Sequence, residues 1–197
     1  MVRNSSQYNN LCRRISKLDK SYLPTKYNPL GRYTKKEEDD IRAYSLLVHA
    51  EIESYFETIC QIKAQYALSK WRNNHKYNSH ILLSLSCFIE HTQKVKDEKT
   101  LELKLRKIVG IFCETIKNNN GIKEQNIKAL LLPIGINEND LDATWLNTLN
   151  SFGITRGQFA HTGASVNIVP NHNDIKSNVE NILLVLKDLD LVIKSLK

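Results

Sequence analysis

Between residues 41 and 62, apolar residues recur at steps of three and four: Ile41, Tyr44, Val48, Ile52, Tyr55, Ile59 and Ile62. Steps of that size return side chains to one face of a helix, whereas a strand would need alternation. Thr34 stands ahead of the run with Glu37 three residues on, the spacing at which a hydroxyl and a carboxylate cap each other's backbone N–H groups. Glu38, Asp39 and Asp40 add negative charge near the positive end of the helix dipole. The pattern predicts one long amphipathic helix over about 35–72. Any compact fold must lay its other elements along that rod.

The rest of the chain reads the same way. A helix is expected from near Ser79 to Lys96, with Ile81, Leu82, Leu85, Phe88 and Ile89 on its apolar face. Another spans about 100–117 through Leu105, Ile108 and Phe112, and a short one about 123–132. Asn137 or Asn139 is placed to cap a helix through Trp145 and Leu149. Gly153 is expected to interrupt it, and Thr155 to cap a new helix holding Arg156 and His161. Residues 163–172 read as extended or loop, with Val166 to Val169 the one weak strand pattern. Asn173 is placed to cap a final helix over 174–196. Seven Gly and four Pro in 197 residues leave few breaks. The expected fold class is all-α, a helical bundle of four or more helices.

Charge divides the chain unevenly. Residues 1–36 hold nine Lys and Arg against Asp19, whereas the other 161 residues hold nineteen bases and twenty acids. The expected organisation is a basic N-terminal arm, short helix and connector over 1–34, followed by a helical domain over 35–197. Arg3, Arg13, Arg14, Lys17 and Lys20 on that arm are candidate RNA contacts, since clustered cations suit a polyanion; a solvated leader is the competing reading. Cys12, Cys60, Cys87 and Cys113 show no CxxC spacing and read as reduced thiols of a cytoplasmic protein. No apolar run is long enough to cross a bilayer, and no membrane partner is expected.

Chemistry-bearing residues are sparse. Cys87 and His91 share an i, i+4 spacing, but no second ligand pair accompanies them, so no metal site is assigned. No phosphate-binding loop, dinucleotide fingerprint or nucleophile elbow occurs, so no cofactor is expected. Tyr33, Tyr44, Tyr55, Tyr66 and Tyr77 recur every eleven residues, which makes a helical stripe that either packs in a seam or offers stacking faces to bases. His49 and Glu53 stand at i, i+4. Glu51, at the edge of the apolar face, either reaches water or needs a partner such as Arg156 or a helix N-terminus. Arg156-Gly-Gln-Phe-Ala-His161 is an R-x4-H motif.

Two segments make the chain resemble HEPN domains, in particular the ribonuclease-like RiboL-PSP-HEPN subgroup. They are RAYSLLVHAEIESYFE (Arg42 to Glu57) and WLNTLNSFGITRGQFAHTG (Trp145 to Gly163), the latter followed by the helix PNHNDIKSNVENILLVL. With the elements between them the resemblance covers about 35–196. It implies a metal-independent endoribonuclease whose Arg156 and His161 form the site where two protomers of a homodimer meet. Glu51, His49 and Glu53 are auxiliary candidates. It also implies RNA as substrate, a role as toxin or defence effector, and an antitoxin or other protein partner. The polar residue that active members often carry after the arginine is here Gly157. The alternative implied is a non-catalytic HEPN module that binds a protein partner, nucleotide or RNA.

The residue chemistry fits independently. Cleaving RNA without metal needs a group that takes the 2′-OH proton, which histidine does near neutral pH. It also needs a lasting positive charge for the phosphate, which arginine offers in a forked geometry. Five residues turn a helix by 500°, so Arg156 and His161 point about 140° apart on an ideal helix. A shared site therefore requires a frayed helix start at Arg156, or contributions from two chains.

Overall fold

The structure is a computed structural model that describes residues 3–25, 28, 32–75, 77–89, 93–161 and 171–197, without the side chains of residues 93, 94 and 161. The helices are α1 (Ser6–Tyr22), α2 (Lys35–Asn73), α3 (His80–Ile89), α4 (Gln93–Lys96), α5 (Leu101–Lys117), α6 (Glu124–Leu131), α7 (Ala143–His161) and α8 (His172–Ser195). A single 3-10 turn, Glu138–Asp140, precedes α7, and no strand occurs among the described residues. The protein is all-α. The expected strand pattern at Val166 to Val169 lies outside the described residues.

α2 is the spine. Thr34 Oγ1 accepts from the Glu37 N–H, and the Glu37 carboxylate accepts from the Thr34 N–H at 2.8 Å, which closes the capping box. Ile41, Tyr44, Val48, Ile52, Tyr55 and Ile59 are buried as the spacing requires, but Ile62 is 42% exposed. α1, α3, α5, α6, α7 and α8 all pack against α2. One core runs through the bundle, from Leu11 on α1 to Ile193 on α8.

The N-terminal segment differs from an arm. Tyr8, Leu11 and Ile15 of α1 are buried in that same core. The fully buried Asp190 of α8 accepts from Ser5 N at 2.7 Å, Ser5 Oγ at 2.5 Å and Tyr55 OH at 2.8 Å. One carboxylate thus ties the start of α1, the middle of α2 and the end of α8, and its hydrogen bonds meet the requirement of a buried charge. Tyr44 OH also donates to Asp19 at 2.6 Å.

Within the expected helix over 79–96 the structure describes α3 and α4, and residues 90–92 lie outside the described residues. Three further expectations give way. α7 starts behind Asp142, whose Oδ1 accepts from Trp145 N at 2.6 Å, rather than behind Asn137 or Asn139. α8 is capped by Asn171, not Asn173: Asn171 Oδ1 accepts from the N–H groups of Asn173 and Asp174. The tyrosine stripe divides. Tyr44 and Tyr55 are core residues, whereas Tyr66 is 54% exposed.

Candidate active site

α7 continues through Gly153 without a break to His161. Thr155 does not cap; its hydroxyl donates back to Ser151 O at 3.0 Å, a bond that helical interiors allow. Burial explains the continuity. Trp145, Leu149, Phe152 and Phe159 of α7 are all in the core, and their steps of four, three and seven define one inward stripe. Arg156 falls on that stripe, four residues after Phe152 and three before Phe159. A frayed start at Arg156 is therefore excluded. Arg156 and His161 sit on one helix about 7.5 Å apart along its axis, at about 1.5 Å per residue. The side chain of His161 lies outside the described residues.

Across from Arg156 stands the flank of α2. His49 is 3% exposed, with its ring stacked at 26° on Phe152, centroids 6.3 Å apart. Its Nδ1 is buried without a hydrogen-bond partner among the described residues and stands 3.8 Å from Glu53 Oε2, too far for a hydrogen bond. Burial first, and the nearby charge of Arg156 second, push the imidazole pKa down to about 4. His49 is neutral at pH 7.

Glu53 is held by the loop between α5 and α6. Its carboxylate accepts from the Gly121 N–H. Gly121 has φ +123°, a left-handed conformation that favours glycine. Asn119 Nδ2 braces the loop by donating to Glu57 Oε1 at 3.0 Å and to Gly121 O at 3.1 Å. Burial raises the Glu53 pKa and the Glu57 charge adds to this, against the lowering effects of the Gly121 N–H and Arg156. Arg156 thus lies within electrostatic range of both residues. It is half-buried, and its guanidinium forms no ion pair among the described residues.

The other candidates lie elsewhere. Glu51 pairs with Arg14 of α1 at 2.7 Å, so neither Arg156 nor a helix N-terminus is its partner. Two residues from His49 and from Glu53 means 200° around α2, which turns Glu51 toward α1. Arg3, Arg13, Lys17 and Lys20 are exposed, and Arg13 donates to Asn10 Oδ1 at 3.0 Å. Cys87 is exposed and Cys60 buried, with burial pushing the Cys60 thiol pKa up; His91 lies outside the described residues. Among the described residues no three His, Cys, Asp or Glu side chains gather as a metal would need. No helix among them is long and apolar enough to cross a membrane.

Sequence reasoning missed the brace formed by Asn119 and Gly121. It also missed Lys123, whose Cγ stands 3.2 Å from where a Cβ on Gly153 would lie. No local pattern marks either feature, because both depend on the packing of α5, α6 and α7 around α2.

The family model described as RiboL-PSP-HEPN matches residues 6–195. The chain belongs to the RiboL-PSP-HEPN family, a family of HEPN domains. The match takes in α1, in keeping with its place in the core. Neither the curated proteins nor the solved structures hold a match to the chain.

Proposed function

We propose that this protein is a metal-independent endoribonuclease that uses the substrate's own 2′-OH as nucleophile. One observation carries the reading: Arg156 occupies a half-buried, inward position on α7, beside neutral His49 and braced Glu53, with no ion pair among the described residues. A cation held there with no ion pair among the described residues is available to a phosphate, which its forked N–H groups bind in two places.

In this reading His161 takes the 2′-OH proton. The 2′-oxygen forms a bond to phosphorus, the bond from phosphorus to the 5′-oxygen breaks, and the leaving oxygen takes a proton. Arg156 holds the phosphate oxygens and stabilises the charge that builds in the transition state. Glu53 and His49 position Arg156 from α2. The 140° between Arg156 and His161 motivates a homodimer in which one cleft draws on both chains, the commonest symmetric assembly. Ile154 supports it: seven residues before His161 it lies within about 20° of the same face, and it is 51% exposed. An enzyme that cuts RNA in this way suits a toxin or defence effector.

The test is cleavage of an oligoribonucleotide in EDTA. The expected products end in a 2′,3′-cyclic phosphate, and a 2′-deoxy substitution at the scissile nucleotide blocks the cut. Cleavage that requires Mg²⁺, or that proceeds at the deoxy position, contradicts the mechanism.

A further inference from the structure

Away from Arg156, the end of α2 and the end of α8 enclose a groove of about 930 Å³. Lys63, Lys70, Lys194 and Lys197 line it together with Tyr66 and Tyr77, and among the described residues its lining includes no Asp or Glu. Two of the lysines are already engaged. Lys63 Nζ donates to Lys194 O at 2.8 Å and Leu196 O at 3.0 Å, which closes the C-terminal turn of α8 onto α2. Lys194 Nζ donates to Arg3 O at 2.6 Å. Lys70 and Lys197 are exposed. The Lys70 ammonium lies over the Tyr66 ring, 5.4 Å from its centroid.

That pair fits one kind of ligand. A flat aromatic ring exposed among cations offers a stacking face to a base and places the phosphates of the same strand beside ammonium groups. A base arriving on Tyr66 displaces Lys70 from the ring and leaves its charge beside the strand. An acidic peptide would satisfy the lysines but gain little from the ring, and a duplex would present no free base face. Thirteen residues separate Tyr66 from Glu53, about 20 Å along α2 and about 140° around it. The groove therefore does not open onto the Arg156 side.

We propose that this groove is a binding site for single-stranded nucleic acid, separate from Arg156, in which Tyr66 stacks a base while Lys70 and Lys197 hold phosphates. This goes beyond the ribonuclease reading and does not depend on it.

The experiment measures binding of a labelled oligothymidylate of about 12 nucleotides, within the usual range of single-strand sites. As DNA it lacks the 2′-OH, so binding is read without cleavage. Tyr66→Ala weakens binding about fivefold or more, as expected when one stacked base is given up. Tyr66→Phe, which keeps the ring, restores it. Lys70→Gln with Lys197→Gln flattens the slope of log affinity against log salt by about 1.4, or about 0.7 for each phosphate no longer neutralised. Cys87→Ser, an exposed position outside the groove, leaves affinity and slope as in the parent. Variants are compared only where their circular dichroism matches the parent. The proposal is overturned if the Tyr66 and lysine variants bind like the parent. It is also overturned if a polyglutamate or a duplex binds more tightly than the single strand. If the parent binds no oligothymidylate at low salt the groove proposal falls, while cutting at Arg156 is still read by its own assay.

Discussion

Arg156 and His49 are both polar groups turned inward, and burial treats them differently. Arginine keeps its charge at any ordinary pH, so it can bind an anion or stand close to one but cannot neutralise itself. Histidine can, and His49 does. Its folded pKa of about 4 against an ordinary 6.5 means that protonation favours the unfolded chain. The stability this provides is fully present above about pH 6.5 and is lost as pH falls toward 4. Two and a half units amount to about 3 kcal/mol at 1.36 kcal/mol per unit. Glu53, whose pKa is raised, works in the opposite sense over part of that range. The contribution of His49 is therefore isolated by comparison. Urea midpoints of parent and His49→Gln, taken between pH 7 and pH 4, are expected to converge at low pH. Parallel curves would contradict it. The i, i+4 spacing of His49 and Glu53 was legible in the sequence, but the partner of Glu51 was not, because Arg14 comes from a segment that reads as solvated charge.

α7 shows where local signals fail. Gly153, Thr155 and Gly157 all argue for a break, and each interior glycine costs roughly 1 kcal/mol relative to alanine. Burial of Trp145, Leu149, Phe152 and Phe159 outweighs this, at about 1.5–3 kcal/mol per large apolar side chain. The long periodic helices α2, α5 and α8 were legible to within a few residues, since their apolar spacing, caps and packing all agree. α7 was not, since its propensity and its packing disagree. The conflict leaves room for improvement at Gly157. A Cβ there meets nothing within 4 Å. Gly157→Ala is expected to stabilise the protein by about 0.5–1 kcal/mol, read as a higher urea midpoint with an unchanged slope. A loss of stability would mean that α7 does not continue past Gly157. At Gly153 the same change sets a methyl 3.2 Å from Lys123 Cγ, so the benefit shrinks there.

As a whole the molecule is one core threaded by α2, and its basic N-terminus is part of that core. A short helix was expected there, but its docking was not: Tyr8, Leu11 and Ile15 stand at steps of three and four, a pattern obscured by the charge around it. Deletion of residues 1–22 is therefore expected to cost far more than a leader would. Three buried side chains are removed, at about 1.5–3 kcal/mol each, and Asp190 loses Ser5 inside the protein. Against a typical total of about 5–15 kcal/mol, that brings the bundle to the edge of unfolding. Thermal unfolding followed by circular dichroism checks it, and an unchanged midpoint would mean that α1 does not support the core. Chemistry at Arg156 and His161 remains the central claim, and a rate tests it most directly. Single-turnover cleavage of one RNA is measured in EDTA for the parent, Arg156→Ala, His161→Ala and Cys87→Ser. His161→Ala is expected to lose about 10²–10⁴-fold, the usual share of general acid–base catalysis. Arg156→Ala should be similarly impaired, and Cys87→Ser should cut like the parent. If the Arg156 and His161 variants fold and cut as fast as the parent, the motif is structural and the RNA-cutting assignment is wrong.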